Sequence, residues 1–388
     1  MGKIIYPRYV YHLIKGIKMI KEVRKEVYTC YPYVPGKSMD DVMDEYHLEH
    51  VVKLGSNENP YAPFDLSSKI MRDEVSKINT YPEKNFIKLK SILADSYNLR
   101  PEFVALGHGA GGVLDTLAKT FINSGDEIIT AEQTYGLYGE ISKGMGGILK
   151  LVPLTSDFKF DLLNVSKSIT SKTKLIWLCN PNNPTGTVFE PDEFYSFMET
   201  LPEHVWVVLD EAYIEFAAKD KRIEVTRLIQ QGKKIIKVGT LSKYYGLAGA
   251  RIGYCVSQPD VITAYDTISE PFNANRIGLA GAVCVLTDDK PTADKVGNKI
   301  IEDRDNLINQ LNELGCQCDI SHTNFVFFST PHKANELADK LLTQGVIVRP
   351  CAGWGFTHHI RVTIGTSEQN TVFLATLKET MALMDEGK

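Results

Sequence analysis

Thr240-Leu-Ser-Lys-Tyr-Tyr-Gly-Leu-Ala-Gly-Ala-Arg251 is the stretch on which the reading of this chain turns. It links two near-continuous apolar runs, 235–238 and 253–256, each of the kind that forms a strand buried on both faces. A lysine set after Ser242 and before a Gly/Ala-rich turn closing on Arg251 can bond covalently to a carbonyl cofactor. Lys243 is that lysine.

Upstream, Asp210-Glu-Ala-Tyr213 follows the apolar run 205–209. A carboxylate among apolar residues is costly unless a cation faces it, and a protonated pyridine nitrogen is such a partner. The carbonyl cofactor this implies is pyridoxal phosphate. A helix or turn cap is the plainer reading of Asp210, and it loses weight because Asp210 and Lys243 follow successive expected strands. Asn180-Pro-Asn-Asn-Pro-Thr-Gly186 comes directly after the run 175–178. Such a segment is usually a turn, yet ligands of open sheets bind beyond the carboxyl ends of strands, where an Asn held between the two prolines can donate to a ligand oxygen.

Gly107-His-Gly-Ala-Gly-Gly112 lies between an expected strand, 103–106, and an expected helix, 112–122. Its spacing satisfies a dinucleotide fingerprint, but Asp126 and Glu127 precede the next strand instead of ending it, so the ribose anchor is missing. What remains is a glycine turn at a helix N-terminus, whose backbone N–H groups can approach one phosphate monoester. A tight turn without a ligand is the alternative for these glycines taken alone.

Apolar runs at 127–130, 175–178, 206–209, 235–238 and 253–256, with an amphipathic helix at 83–98, predict an α/β fold with a mostly parallel, helix-covered sheet. After about residue 279 the pattern changes to a helix ending near Gly315 and strands at 325–328, 346–349 and 360–364, a smaller α+β domain. The expected division is 1–27 extension, 28–77 arm, 78–278 large domain and 279–388 small domain. With 388 residues, 43% hydrophobic, there is ample material for a large core. The net charge of −5 leaves no basic footprint for nucleic acid, so small-molecule partners are expected.

Seven scattered cysteines fit a reducing, cytoplasmic setting better than a disulfide framework, and Cys316 and Cys318 lack a second pair at zinc spacing, so no metal is expected. No apolar run approaches the roughly 18 residues of a membrane span. In residues 1–27, Lys15, Lys18 and Lys21 sit among Leu13, Ile14, Ile17 and Ile20 near helical spacing. A basic amphipathic helix is one reading. A frayed extension, with Met19 as an alternative start, is the preferred one, and the lysines exclude a secretory signal.

Taken together in chain order, Tyr33-Val-Pro-Gly36, Ser56-Asn-Glu-Asn-Pro-Tyr61, Tyr135-Gly-Leu-Tyr138, 180–186, Asp210-Glu-Ala-Tyr-Ile-Glu-Phe216, 241–253, Val348-Arg-Pro350 and Ile360-Arg-Val-Thr-Ile-Gly-Thr366 carry a resemblance. The chain resembles the fold-type I pyridoxal phosphate aminotransferases, and among them the histidinol-phosphate aminotransferase branch. The resemblance implies that Lys243 forms the internal aldimine and moves a proton, and that Asp210 keeps the pyridine nitrogen protonated. It gives Asn183 and Tyr213 to the cofactor's phenolic oxygen, Tyr135 to its ring face, and Ser242, Arg251, Ala110 and Gly111 to its phosphate. Tyr61 would reach that phosphate from the other subunit, which implies a homodimer. Arg361 would hold the carboxylate of glutamate or the phosphate of histidinol phosphate, with Arg349 assisting and Asn59 lining the pocket. The implied reaction is transamination between that amine, or an aromatic amino acid, and 2-oxoglutarate.

The chain departs from the pattern at His108, Ala110, Gly111 and Gly112 in the cradle, and at Trp354, where phenylalanine or tyrosine is usual. A different amine, or decarboxylase or oxidase chemistry on the same cofactor, is the alternative these departures leave open. A cofactor-binding regulator would need a DNA-binding module, and neither an extra domain nor a basic patch is present.

Overall fold

Runs of β-branched and aliphatic residues bounded by turn residues become thirteen strands among the residues that a computed structural model describes, 20–32, 36–83 and 85–387. They are β1 (Val52–Lys53), β2 (Val104–His108), β3 (Glu127–Ala131), β4 (Ile148–Val152), β5 (Thr173–Cys179), β6 (Trp206–Asp210), β7 (Ile235–Thr240), β8 (Ile252–Val256), β9 (Gln317–Cys318), β10 (Phe325–Ser329), β11 (Val346–Ile347), β12 (Arg349–Pro350) and β13 (His359–Thr363). Most of the basic segment 1–27, and residues 33–35 of the Tyr33-Val-Pro-Gly36 motif, lie outside the described residues.

The largest sheet runs β2-β8-β7-β6-β5-β3-β4. Strands β4, β3, β5, β6 and β7 pair in parallel. Strand β8 alone is reversed, antiparallel to both β7 and β2. Every residue of β7 and β8 is buried, Lys237 included, which is why these strands read as near-continuous apolar runs instead of alternating ones. Helices cover the sheet, and the mostly parallel, helix-covered architecture expected from the sequence is the one observed.

A second sheet, β12-β13-β10-β9, is antiparallel throughout. Strand β1 leaves the N-terminal segment to pair with β11, so residues near 52 pack with the C-terminal part of the chain. The 24-residue helix Lys290–Glu313 precedes β9 and ends just before Gly315, whose φ of +83° reverses the chain.

Several elements differ from expectation. The helix expected at 112–122 spans Gly109–Phe121, beginning three residues earlier directly at the end of β2. The helix expected at 83–98 is Ile87–Ser96, because Phe86 before it stands at φ +50°. The run 346–349 serves two partners, Val346–Ile347 pairing with β1 and Arg349–Pro350 with β13. Strand β4, unanticipated, is a half-exposed edge whose mixed Ile-Leu-Lys-Leu-Val pattern lacks a buried strand's signature.

Candidate active site

Parallel strands bring their carboxyl ends to one edge, and that edge collects the large-domain residues singled out in the sequence. Asp210 is the last residue of β6, and the backbone N–H of Asn180, just after β5, donates to its carbonyl at 2.9 Å. Lys243 follows β7, the neighbour of β6. The segment 134–138 follows β3, on the other side of β5. Arg251 arrives there because β8 is reversed. An antiparallel strand begins at the edge where its neighbours end, so Ile252 pairs with His108 and the Gly109 N–H donates to the Arg251 carbonyl at 3.0 Å.

The turn between β2 and helix Gly109–Phe121 is shaped by missing side chains. A Cβ on Gly253 would lie 2.3 Å from the Gly109 carbonyl carbon and 2.4 Å from the Ala110 nitrogen. A Cβ on Gly109, already at φ +69°, would lie 2.5 Å from Arg251 Nη2. The two glycines therefore let the guanidinium approach the N-terminus of helix Gly109–Phe121, which no side chain caps. Positive charge and a helix N-terminus together favour an anion. Ser242 is buried beside them, its Oγ accepting from Thr240 at 2.9 Å. His108 is exposed at the strand end, and Gly111 and Gly112 sit in the first turn.

Asp210 is 3% exposed. Burial raises its pKa, opposed by the Tyr138 hydroxyl, which donates to Oδ2 at 2.7 Å, by the Ala212 N–H at 3.1 Å, and by the charge of Lys237. A carboxyl this dry is held ionised by a facing cation. Lys243 Nζ donates to the Ser56 carbonyl at 3.2 Å, and burial, followed by the Arg361 guanidinium, pulls its pKa down to about 8. Its amine is thus closer to the free, nucleophilic form than an ordinary lysine's. The Tyr213 hydroxyl is pushed above the usual phenol range by burial, opposed by Arg361 and by the Asn57 amide, whose Nδ2 donates to it at 3.0 Å.

The small sheet supplies the cations. Arg361, 6% exposed on β13, donates to the Gly55 carbonyl at 2.8 Å and to Asn183 Oδ1. Arg349, its register partner on β12, is half-buried. Asn183 and Arg361 are thereby brought together. Asn59 is turned elsewhere: Nδ2 donates to the Tyr244 carbonyl at 2.9 Å and Oδ1 accepts from the Tyr61 N–H at 3.0 Å, so it braces the residue after Lys243. Within the chain, the Tyr61 hydroxyl donates to Asp303 at 3.3 Å. The Tyr135 ring packs edge-on against Tyr138, centroids 5.6 Å apart.

Two contributors were missed in the sequence. Tyr138 appears there only as the end of a motif, with no role, yet its hydroxyl donates to Asp210 Oδ2 at 2.7 Å. Asn57 holds Tyr213 and also ties in Thr363 and Asn324, its N–H donating to Thr363 Oγ1 at 2.9 Å and its carbonyl accepting from Asn324 Nδ2 at 3.1 Å. Its position beside Glu58 in Ser56-Asn-Glu-Asn-Pro-Tyr61 was the available signal.

A dry carboxyl needing a cation, an uncapped helix N-terminus that two glycines let Arg251 approach, and a lysine with a depressed pKa fit pyridoxal phosphate. The comparisons with known proteins agree. The sequence profile of the family "Aminotransferase class I and II" matches residues 49–377. A Haemophilus influenzae protein named histidinol-phosphate aminotransferase 2 is 35% identical over 369 residues, 94% of this chain and 99% of its own length. One from Moorella thermoacetica is 35% identical, over 94% of this chain and 95% of its own length. The crystal structure of the Sinorhizobium meliloti histidinol-phosphate aminotransferase in complex with pyridoxal-5'-phosphate superposes with a TM-score of 0.86 at 26% identity, covering 94% of this chain and 99% of that one. Thermus thermophilus aspartate aminotransferase shares the fold, with a TM-score of 0.78 at 21% identity. This chain belongs to the class I and II aminotransferases and is a pyridoxal phosphate-dependent transaminase.

Proposed function

We propose that the chain moves an amino group between histidinol phosphate and 2-oxoglutarate. The observation that carries the reading is a buried arginine, Arg361, reaching from the small sheet to Asn183 and Gly55 at the strand-end edge. A guanidinium fork matches the carboxylate of one substrate and the phosphate of the other, so one site serves both half-reactions. The relatives named above share that substrate in their names.

When bound, the cofactor supplies an electron sink that stabilises negative charge on the substrate α-carbon. The chain's own groups do the rest. Lys243 Nζ would supply the amine that holds the cofactor's aldehyde carbon, and as a free amine it would be the base that carries a proton from the substrate α-carbon to the cofactor. Asp210, aligned by Tyr138, holds the ring-nitrogen proton. Asn183 and Tyr213 would bind the phenolic oxygen, Tyr135 would face the ring, and Ser242, Arg251, Ala110 and Gly111 would bind the phosphate. Arg349 assists Arg361, and Asn59 lines the pocket indirectly by holding the Lys243 loop.

We further propose a homodimer in which Tyr61 reaches the partner's phosphate cradle, and domains at 28–77, 78–278 and 279–388, the last division supported by the separate sheets. Cytoplasmic residence is supported by seven free thiols, and no described helix is long and apolar enough to cross a membrane. Half-reaction spectroscopy tests the substrate: histidinol phosphate added to holoenzyme converts the visible cofactor band to the pyridoxamine band, and 2-oxoglutarate restores it. Carbon dioxide release or oxygen uptake with another amine, and no response to histidinol phosphate, would contradict it.

A further inference from the structure

Trp354 touches both parts of the molecule. It closes a short helical turn, Ala352–Trp354, between β12 and β13. Its indole Nε1 donates to the carbonyl of Thr134, in the large sheet's strand-end loop, at 2.7 Å. The guanidinium carbons of Arg349 and Arg361 stand 5.8 and 6.0 Å from its ring centroid, within reach of its electron-rich face.

These contacts close a ring. Thr134 Oγ1 donates to Asn182 Oδ1 at 2.7 Å, and Asn182 Nδ2 returns to the Gln133 carbonyl at 3.0 Å. The next residue, Asn183, accepts from Arg361, and Arg361 lies beside Trp354. Two like charges on register partners repel, and an aromatic ring near both offsets that repulsion while fixing where they stand. Thr134 also precedes Tyr135, so the indole hydrogen bond ties the arginine pair to the loop that carries the ring-facing tyrosine.

We propose that Trp354 is a positioning residue: it fixes the anion-binding pair Arg349 and Arg361 relative to the Thr134–Tyr135 and Asn182–Asn183 loops, so that an acidic substrate meets a preset fork. The inference rests on the reading of Arg361 as the substrate's anion site. Phenylalanine keeps a ring for the guanidiniums and removes the N–H, whereas leucine removes both.

Steady-state kinetics on the holoenzyme test it with Trp354→Phe, Trp354→Leu and Arg361→Lys. Trp354→Phe is expected to raise KM for both 2-oxoglutarate and histidinol phosphate about fivefold to tenfold, the worth of one hydrogen bond, with kcat within about twofold. Trp354→Leu raises KM further, while the Tm and visible cofactor absorbance of the Phe variant match the parent. Wild-type KM values in both Trp354 variants, with a raised KM in Arg361→Lys, overturn the inference and leave the anion-site reading standing. Wild-type values in all three overturn both. A Phe variant whose loss follows a lowered Tm or lost cofactor shows a merely structural role and also overturns the inference.

Discussion

Lys243 owes its chemistry to its surroundings. With the folded pKa near 8 and the ordinary value at 10.5, the folded chain has given up a proton between those pH values that the unfolded chain keeps. The free amine therefore becomes abundant above about 8, and capture of pyridoxal phosphate by apoenzyme should accelerate across that pH. Stopped-flow absorbance should show an inflection there, moving upward in Arg361→Leu, where a depressing charge is gone; an inflection near 10 in the parent enzyme would contradict this origin. Lys243 and Asp210 were legible in the sequence because their residue types and order carry the chemistry. Tyr138 and Asn57 were not, since their work is done by hydrogen bonds to residues 72 and 156 positions away. No local pattern encodes such a meeting. Asn59 shows the converse, a suggestive residue whose amide turns out to hold the Tyr244 backbone.

The cradle depends on β8 running against its neighbours. An apolar run announces a buried strand but says nothing of direction, so the sequence placed β8 in the sheet without revealing why Arg251 meets Gly109. The early start of helix Gly109–Phe121 was hidden too, because His108 supplies no capping side chain and the glycines look like loop. The close approach makes a sharp prediction. Gly253→Ala forces a methyl against Gly109 and Ala110 backbone, which cannot yield as a flexible side chain can. It should cost about 1–3 kcal/mol of stability and weaken pyridoxal phosphate binding by about tenfold or more. Thermal unfolding and cofactor titration measure both, and a variant with parental Tm and affinity would show that the backbones separate easily.

Two sheets meet through Arg361, Asn183, Trp354 and Thr134, and the anion site we propose would be assembled only where they do. The coarse plan, a helix-covered parallel sheet followed by a smaller α+β part, was readable from strand spacing and burial. The joining of β1 to β11 was not, because two-residue strands carry no periodicity. The homodimer we propose would be a property of the assembly, and sedimentation equilibrium should then return twice the mass of the 388-residue chain. In that dimer Tyr61→Phe should lower cofactor affinity about tenfold, as expected for a lost hydrogen bond to a charged group. An active monomer would refute the shared site. In the mechanism we propose, one lysine carries the cofactor. Borohydride reduction of the holoenzyme followed by peptide mass spectrometry should place the cofactor's mass on the peptide containing Lys243 and on no other; label on a different lysine, or none with full activity retained, would contradict it.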